Sequence, residues 1–476
     1  MLRTEFLPLL LATLSLTLSG GCSQDAAGNS TRSARPSLNA AGNSPGESPQ
    51  SDDVTIGDQA TDGRRNSVWI PAVLRGSENV DWPQFRGIGG QGKSTETGLP
   101  VNWGPERNIV WKTALPGAGT SSPIFVGDRI FLTCYSGFGI PNEPTGDMNS
   151  LKLTVVCLNR SDGSLRWQTP VAPALPEQPT IRDEHGYASS TPAADDDHVY
   201  VFFGKTGVFA FDYDGHQKWH ATVGANLNGW GSAASPVLCG DLLIVNASVE
   251  SESLYALDKR TGTEVWRVPN IREAWNTPVL LNSSGGSTEL IVPVLRNLLA
   301  FDPATGKKLW WCDTHIDWYM VPSAVVQDDV VYCLGGRSGG ALAVRGGGRN
   351  DVEPSHVVWT GNKGSNVTSP VVHDGHLYWM SEKLGVAYCA DAATGNIVYE
   401  ERLPRAGQVY ASAVLADGKI YYVARNGKTF VVAAKPVFEL LATNETEERG
   451  RFDASPAIAD GALFLRSNRF LHCIDE

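Results

Sequence analysis

The sequence predicts an all-β fold, an eight-bladed β-propeller built from four-stranded repeats. Short β-branched and aromatic runs alternate with turns in a chain that contains 50 Gly and 28 Pro, a composition typical of many short strands. From about residue 109 a similar unit recurs roughly every 40 to 55 residues. The last unit stops before its final strand, and a strand of the missing kind precedes the first unit. These three observations favour a closed ring.

Each unit begins with a strand whose first residues are Ser or Thr followed by Pro or Ala, as in "SSPIF" and "NTPVL". A Gly/Asp turn of the kind that tight hairpins require comes next. The residue before the Pro or Ala carries a hydroxyl group in all eight units: Ser122, Thr191, Ser235, Thr277, Ser323, Ser369, Ser412 and Ser455.

The units end with an aromatic strand, which often follows a D-x-x-T-G turn. Seven such strands are predicted, carrying Trp167, Trp219, Trp266, Trp310, Trp359, Tyr399 and Phe438. The chain ends at "SNRFLHCIDE", whereas "RNIVWKTALP" with Trp111 precedes the first unit. We therefore expect the N-terminal strand near Trp111 to complete the last blade and close the ring. The alternatives are an open solenoid and a seven-bladed ring with one degenerate unit. The aromatic residues are expected to pack between blades.

The N-terminal region predicts export. Residues 1–21 read as a signal peptide with an apolar run, and Ser19-Gly20-Gly21 ahead of Cys22 resembles a lipoprotein cleavage site. Cys22 is thus predicted to carry a lipid, with ordinary secretion as the alternative. Residues 22–80 are rich in Ser, Gly, Asn and Pro and predict a disordered tether. Residues 81–476 are predicted to form the propeller.

The net charge limits the class of binding partner, and the cysteine positions indicate the state of the thiols. The net charge is −12, and without a basic stripe this argues against a nucleic-acid partner. Cys157, Cys389 and Cys473 stand where other units have Ala, so we expect buried free thiols. A disulfide between Cys134 and Cys157 is the alternative.

The A-L-D-x-x-T-G-x-x-x-W unit and the opening "DWPQFRGIGGQG" resemble the repeats of pyrroloquinoline quinone (PQQ) enzymes and their non-enzymatic relatives. The resemblance covers residues 81–476. A tethered lipoprotein with an eight-bladed ring is also similar to the BamB family of outer-membrane assembly scaffolds. That resemblance implies a binding surface without a cofactor. Many PQQ enzymes have an adjacent Cys-Cys pair, which this chain lacks.

Two motifs match enzyme patterns by chance. "GIGGQGKS" (residues 87–94) has the P-loop spacing, but Gly98 and Pro100 follow it where a helix is required, so a surface loop is expected. "GRSGG" (residues 336–340) has the nucleophile-elbow spacing, but it joins two predicted strands rather than a strand and a helix. The nine histidines show no close metal-ligand spacing.

The candidate site is one mouth of the central channel, where residues just upstream of the eight unit starts converge. Its aromatic and polar side chains predict a pocket or a peptide-binding surface, and the alternative is that bulky residues plug the channel. A long insertion in blade 1 (residues 135–150), together with "PALPEQPTIRDEHGY" (residues 173–187), is a second candidate. The predicted ligand- or partner-binding residues are Tyr187, Trp230, Glu273, Trp275, Tyr319, Asn366, Tyr410, Arg451 and Asp453.

The predicted function is a non-catalytic scaffold in the cell envelope that binds a protein or peptide. It is expected to be a lipid-anchored monomer on the periplasmic side of the outer membrane, with no cofactor and no metal. The alternative is an oxidoreductase that uses PQQ and Ca²⁺ on a sugar or alcohol, with a quinone site near Glu273, Asn366 and Asp453. Carbohydrate binding by the aromatic mouth is a third hypothesis.

Overall fold

The computed structural model describes residues 82–181, 185–283 and 285–476. The predicted signal peptide, Cys22 and the tether lie outside these ranges. Within them, no helix has the length and hydrophobicity to cross a membrane.

The described residues form 33 strands, numbered here in chain order. Their bounds are β1 (Ile109–Ala114), β2 (Ile124–Val126), β3 (Arg129–Ser136), β4 (Lys152–Asn159), β5 (Leu165–Val171), β6 (Ala193–Ala194), β7 (His198–Phe202), β8 (Val208–Asp212), β9 (Gln217–Ala221), β10 (Val237–Cys239), β11 (Leu242–Ala247), β12 (Ser253–Asp258), β13 (Glu264–Pro269), β14 (Val279–Asn282), β15 (Thr288–Val294), β16 (Asn297–Phe301), β17 (Lys308–Asp313), β18 (Val325–Gln327), β19 (Val330–Gly335), β20 (Gly340–Arg345), β21 (Asn350–Asp351), β22 (Val357–Gly361), β23 (Val371–His373), β24 (His376–Met380), β25 (Val386–Asp391), β26 (Ile397–Arg402), β27 (Val414–Ala416), β28 (Lys419–Val423), β29 (Thr429–Ala433), β30 (Leu440–Asn444), β31 (Ala457–Ala459), β32 (Ala462–Arg466) and β33 (Phe470–Ile474).

Helical segments are short and lie between strands. Among the described residues two are α-helical, α1 (Ser248–Ser251) and α2 (Glu353–His356), and three are 3₁₀ turns at Ile88–Gly90, Met148–Ser150 and Gly204–Thr206.

The strands form eight antiparallel sheets, which are the blades of a β-propeller. Blades 1, 2 and 3 are β2–β5, β6–β9 and β10–β13. Blade 4 is β14–β17, with β21 added in parallel at its outer edge. Blade 5 is β18, β19, β20 and β22, and blades 6 and 7 are β23–β26 and β27–β30. The predicted fold class is confirmed.

Blade 8 closes the ring as predicted. Strands β31, β32 and β33 come from the C-terminus, and β1 supplies the outer strand. Trp111 of β1 lies opposite Cys473 of β33. Both termini of the propeller therefore belong to one sheet, so this sheet has no edge left open by the end of the chain.

The same cross-strand pair recurs in the blades and explains the small residues of the third strand. Trp167 faces Cys157, Trp219 faces Ala210, Trp266 faces Ala256, Trp310 faces Ala300, Trp359 faces Ala343 and Tyr399 faces Cys389. A large ring is thus accommodated beside a small residue. All seven cysteines in the described ranges are buried and free, in agreement with the expectation for Cys157, Cys389 and Cys473.

Trp219, Trp266 and Trp359 each pack onto the D-x-x-T-G turn of the next blade. Nε1 of Trp219 donates to the carbonyl of Lys259 at 3.0 Å, and a Cβ on Gly262 would lie 2.5 Å from the Trp219 ring. Gly262 has φ +73°, a conformation that favours glycine. The turn glycine therefore allows the ring of one blade to contact the backbone of the next.

Blade 7 departs from the sequence prediction for its aromatic strand. Ala442, not Phe438, lies at the position opposite the third strand, where it faces Val431. Phe438 precedes β30 and packs against Tyr399 of blade 6, with ring centroids 5.5 Å apart. Blades 6 and 7 are therefore still joined by an aromatic contact, but the blade 7 residue that makes it lies in the turn between β29 and β30.

Blade 5 also differs from the common contact between blades, because it has no D-x-x-T-G turn against which Trp310 of blade 4 could pack. Glu289 is fully buried and takes over as acceptor. Its carboxylate accepts from Nε1 of Trp310 at 2.8 Å and from the backbone N–H of Gly347 at 3.2 Å, and Nη1 of Arg349 lies 3.5 Å away. The carboxylate thus replaces the backbone carbonyl that holds Trp219.

The N-terminal segment of residues 82–94 crosses one end of the central channel. It bonds to the inner strands of blades 1, 2, 5 and 7 through Trp82, Pro83, Gln91, Gly92 and Ser94. This segment contains the P-loop-like "GIGGQGKS", for which a surface loop was expected. Gly90 and Gly92 are instead buried, because the segment lies against strands at the channel end.

Arg86 is the fully buried centre of this segment. Its guanidinium donates to the carbonyl of Pro370 and lies 3.4 Å from the carbonyls of Gly90 and Ala413. Burial lowers the pKa of Arg86 to about 9. Backbone carbonyls of two blades and of its own segment therefore stabilise a cation that has no carboxylate partner among residues 82–181, 185–283 and 285–476.

Candidate functional site

The central channel contains a cavity of about 470 Å³. Phe85 of the N-terminal segment lines it at one end. The opposite end opens on the face that holds the links between blades and the turns between second and third strands. We call this face the mouth face and the other the hairpin face. The cavity shows that the bulky residues do not fill the channel mouth.

The eight hydroxyl-bearing residues at the unit starts all line the cavity. They also bond the blades to one another. The backbone N–H of Ser122 donates to Oγ1 of Thr191 at 2.9 Å, and Thr191 donates in the same way to Ser235 at 2.9 Å. The series continues through Thr277, Ser323, Ser369 and Ser412 to Ser455 at 2.9–3.1 Å.

A second ring of eight residues lines the cavity two positions upstream of the first. Its members are Thr120, Ser189, Ala233, Trp275, Val321, Val367, Tyr410 and Asp453. The spacing follows from extended backbone, in which every second side chain points the same way. A third group lies closer to the mouth and comprises His185, Trp230, Tyr319, Arg337, Asn366, Glu382, Lys383 and Gln408.

Six of the nine residues predicted from the sequence line this cavity: Trp230, Trp275, Tyr319, Asn366, Tyr410 and Asp453. Glu273 is exposed with φ +53° and does not line it. Arg451 also lies outside the lining, and its backbone N–H bonds to Asn468 at 2.9 Å. Tyr187 faces a side pocket. The three residues outside the lining all stand four positions before a unit start, a position from which Tyr319 and Gln408 do line the cavity.

Sequence reasoning missed the smaller members of the second ring and the charged residues on the turns. It selected bulky residues, whereas the spacing of two from the hydroxyl ring identifies all eight members. Arg337, Glu382 and Lys383 come from turns between second and third strands, which the links between blades do not reveal. Arg337 belongs to the rejected "GRSGG" motif.

Aromatic side chains cluster on one side of the mouth. The Tyr319 ring lies 5.8 Å from Trp230, 5.6 Å from Trp275 and 5.5 Å from Trp318, measured between ring centroids. Nε1 of Trp275 donates to the carbonyl of Gly231 at 2.8 Å. Trp318 is 39% exposed at the rim. The cluster combines apolar area with fixed orientation, which suits recognition of another molecule.

The hydroxyl group of Tyr319 lies in a cationic environment. Burial alone raises its pKa, but hydrogen bonds with Trp318, Asn366 and Arg337 and the charge of Arg337 outweigh burial, so the pKa is below its ordinary value. The mouth therefore stabilises negative charge at this point.

The two carboxylates that line the described cavity are already engaged. Asp453 pairs with Arg425 through contacts of 2.6 and 3.0 Å, and the guanidinium of Arg425 lies 4.0 Å from the Tyr410 ring centroid. Glu382 accepts from the backbone N–H of Asn366 at 3.1 Å. In the described part of the chain, no group of three or more His, Cys, Asp or Glu is placed to bind a metal.

A side pocket of about 30 Å³ lies between blades 2 and 3 and includes Tyr187, Glu177 and Glu250. Glu250 is 2% exposed, and among the described residues neither of its carboxylate oxygens has a hydrogen-bond partner. Burial raises the pKa of Glu250 to about 7, and nearby Glu177 adds to this although Ser232 opposes it. Burial also raises the pKa of Tyr187 to about 12.

A family model described as "Outer membrane protein assembly factor BamB" matches residues 110–269, 154–401 and 250–475. No curated protein sequence is significantly similar to this chain. Among solved structures, BamB from Moraxella catarrhalis is 14% identical with a TM-score of 0.54, and the match covers 77% of this chain and 97% of that one.

Two dehydrogenase structures share the fold. A quinohemoprotein alcohol dehydrogenase from Comamonas testosteroni is 11% identical with a TM-score of 0.59, covering 83% of this chain and 80% of that one. A europium-containing methanol dehydrogenase is 12% identical with a TM-score of 0.60, and the match covers 81% of this chain and 89% of that one. At these identities the likeness concerns the fold alone.

Proposed function

Because the chain belongs to the family of the outer membrane protein assembly factor BamB, we propose that it is a non-catalytic scaffold of the cell envelope whose mouth binds a protein or peptide. The observation that carries the proposal is the cavity, which is lined by Phe85 at one end and opens among Trp230, Tyr319 and Arg337 at the other. Trp, Tyr and Arg are the residue types that dominate binding energy at protein interfaces. The mouth face is thus the working face.

Export and the lipid at Cys22 belong to the same proposal. The apolar N-terminal run and the small residues before Cys22 support them. A lipid at the N-terminus, followed by a long polar tether, would let the mouth reach partners near a membrane. Mass spectrometry of the mature chain tests this part, since an acylated N-terminal Cys22 is expected, and an unmodified start elsewhere would contradict it.

Quinone chemistry is the alternative, and the donor set does not fit it. Ca²⁺ takes six to eight oxygen ligands, mostly carboxylates and carbonyls. Here Asp453 is paired with Arg425, and Glu382 accepts a backbone hydrogen bond. Glu273 lies outside the cavity lining. We therefore derive no step through a quinone.

The proposal is tested by partner capture with the full-length protein in the cells that make it. Trp230→Ala alters the cavity wall, and Trp311→Ala is the matched control because Trp311 lies on β17 of blade 4, outside the cavity lining, with Lys308 over its ring. Capture of a defined envelope protein should fall at least tenfold for Trp230→Ala and stay unchanged for Trp311→Ala. Equal capture by both variants, with both folded, would contradict the assignment of the mouth.

A further inference from the structure

Arg337 is an exposed cation held over the aromatic cluster. Its guanidinium carbon lies 4.9 Å from the Trp318 ring centroid, 5.8 Å from Tyr319 and 5.9 Å from Trp230. Nε and Nη2 each lie 3.3 Å from Oη of Tyr319. In the described residues Arg337 has no carboxylate partner, so the rings orient the guanidinium and leave its charge unneutralised.

Lys383 occupies the corresponding turn of the next blade, between β24 and β25, as Arg337 lies between β19 and β20. It is exposed, lines the cavity and makes no ion pair within the described ranges. His185 is the remaining basic side chain of the lining, and its ring nitrogens contact Ser189 and the Trp230 carbonyl. Asp453 is neutralised by Arg425. The mouth therefore presents two exposed cations against one buried carboxylate, Glu382, in a chain of net charge −12.

Asn366 adds an acceptor to this cationic site. Asn366 is 7% exposed and lines the cavity, and its Oδ1 has no hydrogen-bond partner in the part of the chain that the structure describes. A buried amide oxygen without a partner is costly unless a ligand or water supplies an N–H or O–H. A peptide backbone offers such a donor beside its side chains, whereas an inorganic anion does not.

We propose that the mouth binds an acidic, extended segment of a partner protein, with its carboxylates on Arg337 and Lys383, a backbone N–H on Asn366 and an apolar side chain against the Tyr319 cluster. This inference rests on the proposed function and specifies the partner's chemistry. Charge complementarity selects an acidic segment, because the local cations attract it while the remaining acidic surface disfavours its binding elsewhere.

The test begins with selection of a random linear-peptide library on the immobilised full-length protein. The inference predicts enrichment of peptides that combine Asp or Glu with an aromatic or aliphatic residue. A selected peptide is then titrated against Arg337→Gln and the double variant Arg337→Gln/Lys383→Gln. We expect affinity to fall roughly tenfold for the single variant and further for the double variant.

Arg469→Gln is the matched control. Arg469 is exposed on the corresponding turn of blade 8, outside the cavity lining. Its guanidinium carbon lies 6.0 Å from the centroid of the Phe470 ring. Its removal should leave affinity unchanged. Enriched peptides without acidic bias that lose affinity in Trp230→Ala would overturn the acidic segment but leave the scaffold function standing. No enrichment above the Trp230→Ala protein would overturn both.

Discussion

The backbone N–H of Ser122 donates to Oγ1 of Thr191, 2.9 Å away in the next blade. This bond joins residues that stand two positions before the inner strands of two neighbouring blades, β2 of blade 1 and β6 of blade 2. Six further bonds of the same kind lead from Thr191 to Ser455. The hydroxyl residue therefore satisfies a buried N–H at the channel wall, where no strand ladder reaches it.

Removal of one hydroxyl group from the eight residues at the unit starts should destabilise the fold. Ser323→Ala leaves the buried N–H of Thr277 without its acceptor at 3.0 Å, at a cost of about 1–3 kcal/mol in the free energy of unfolding. Ser323→Thr keeps the hydroxyl and is the control. Urea unfolding of both variants checks this, and equal stability of Ser323→Ala and wild type would show that the ring contributes nothing.

Gly262→Ala should also lower stability. The added Cβ would enter the space of the Trp219 ring and would need φ +73°, so we expect a loss of roughly 2–4 kcal/mol. Gly418→Ala is the matched control, since it also has positive φ, +65°, but its Cβ would meet nothing within 4 Å. If both substitutions cost the same in denaturant unfolding, backbone strain alone explains the loss and the contact between blades does not.

Glu250 should make stability depend on pH. Its pKa is about 7 in the folded protein against 4.5 when unperturbed, so between these values the folded state binds more protons than the unfolded state. Stability is therefore lost as pH rises through this window, by at most about 3 kcal/mol.

Glu250→Gln should remove this dependence. The variant is expected to be more stable than wild type at about pH 8 and to differ little at about pH 4. Free energies of unfolding at both pH values test this. A constant difference between the two proteins would mean that Glu250 titrates normally.

Arg86 should be required to hold the segment of residues 82–94 against the end of the central channel. Arg86→Met removes the donors to Pro370 and Ala413 and leaves buried carbonyls without them, which costs about 1–3 kcal/mol. Protease cleavage between residues 86 and 94 should then increase, while Lys93→Met at a half-buried position should leave it unchanged. Cleavage at the wild-type rate in Arg86→Met would contradict an anchoring role.

The sequence predicted the ring well because the repeat encodes it. Eight hydroxylated starts and Trp111 ahead of the first unit determined the blade number and the closure. Phe438 was misplaced because blade 7 supplies its aromatic contact from a turn, which the spacing of the other blades does not indicate.

The candidate site was only partly predictable. Trp275, Tyr410 and Asp453 each stand two positions before a hydroxyl-bearing unit start, so the sequence pattern alone was enough to predict them. Arg337 and Lys383 come from turns in separate blades, and their meeting at one cavity depends on how the ring closes. The crossing of one channel end by the segment of residues 82–94 likewise depends on contacts with blades that are distant in sequence.

The most direct test of a working mouth face is site-specific photocrosslinking with the full-length protein in its own cells. A photoreactive residue replaces Trp318, 39% exposed at the mouth rim, or Val437, 67% exposed at a turn of the hairpin face. The account predicts a discrete protein adduct from position 318 that disappears in the Trp230→Ala background, and none from position 437. An adduct from position 437 alone would contradict the account and place the working surface on the hairpin face.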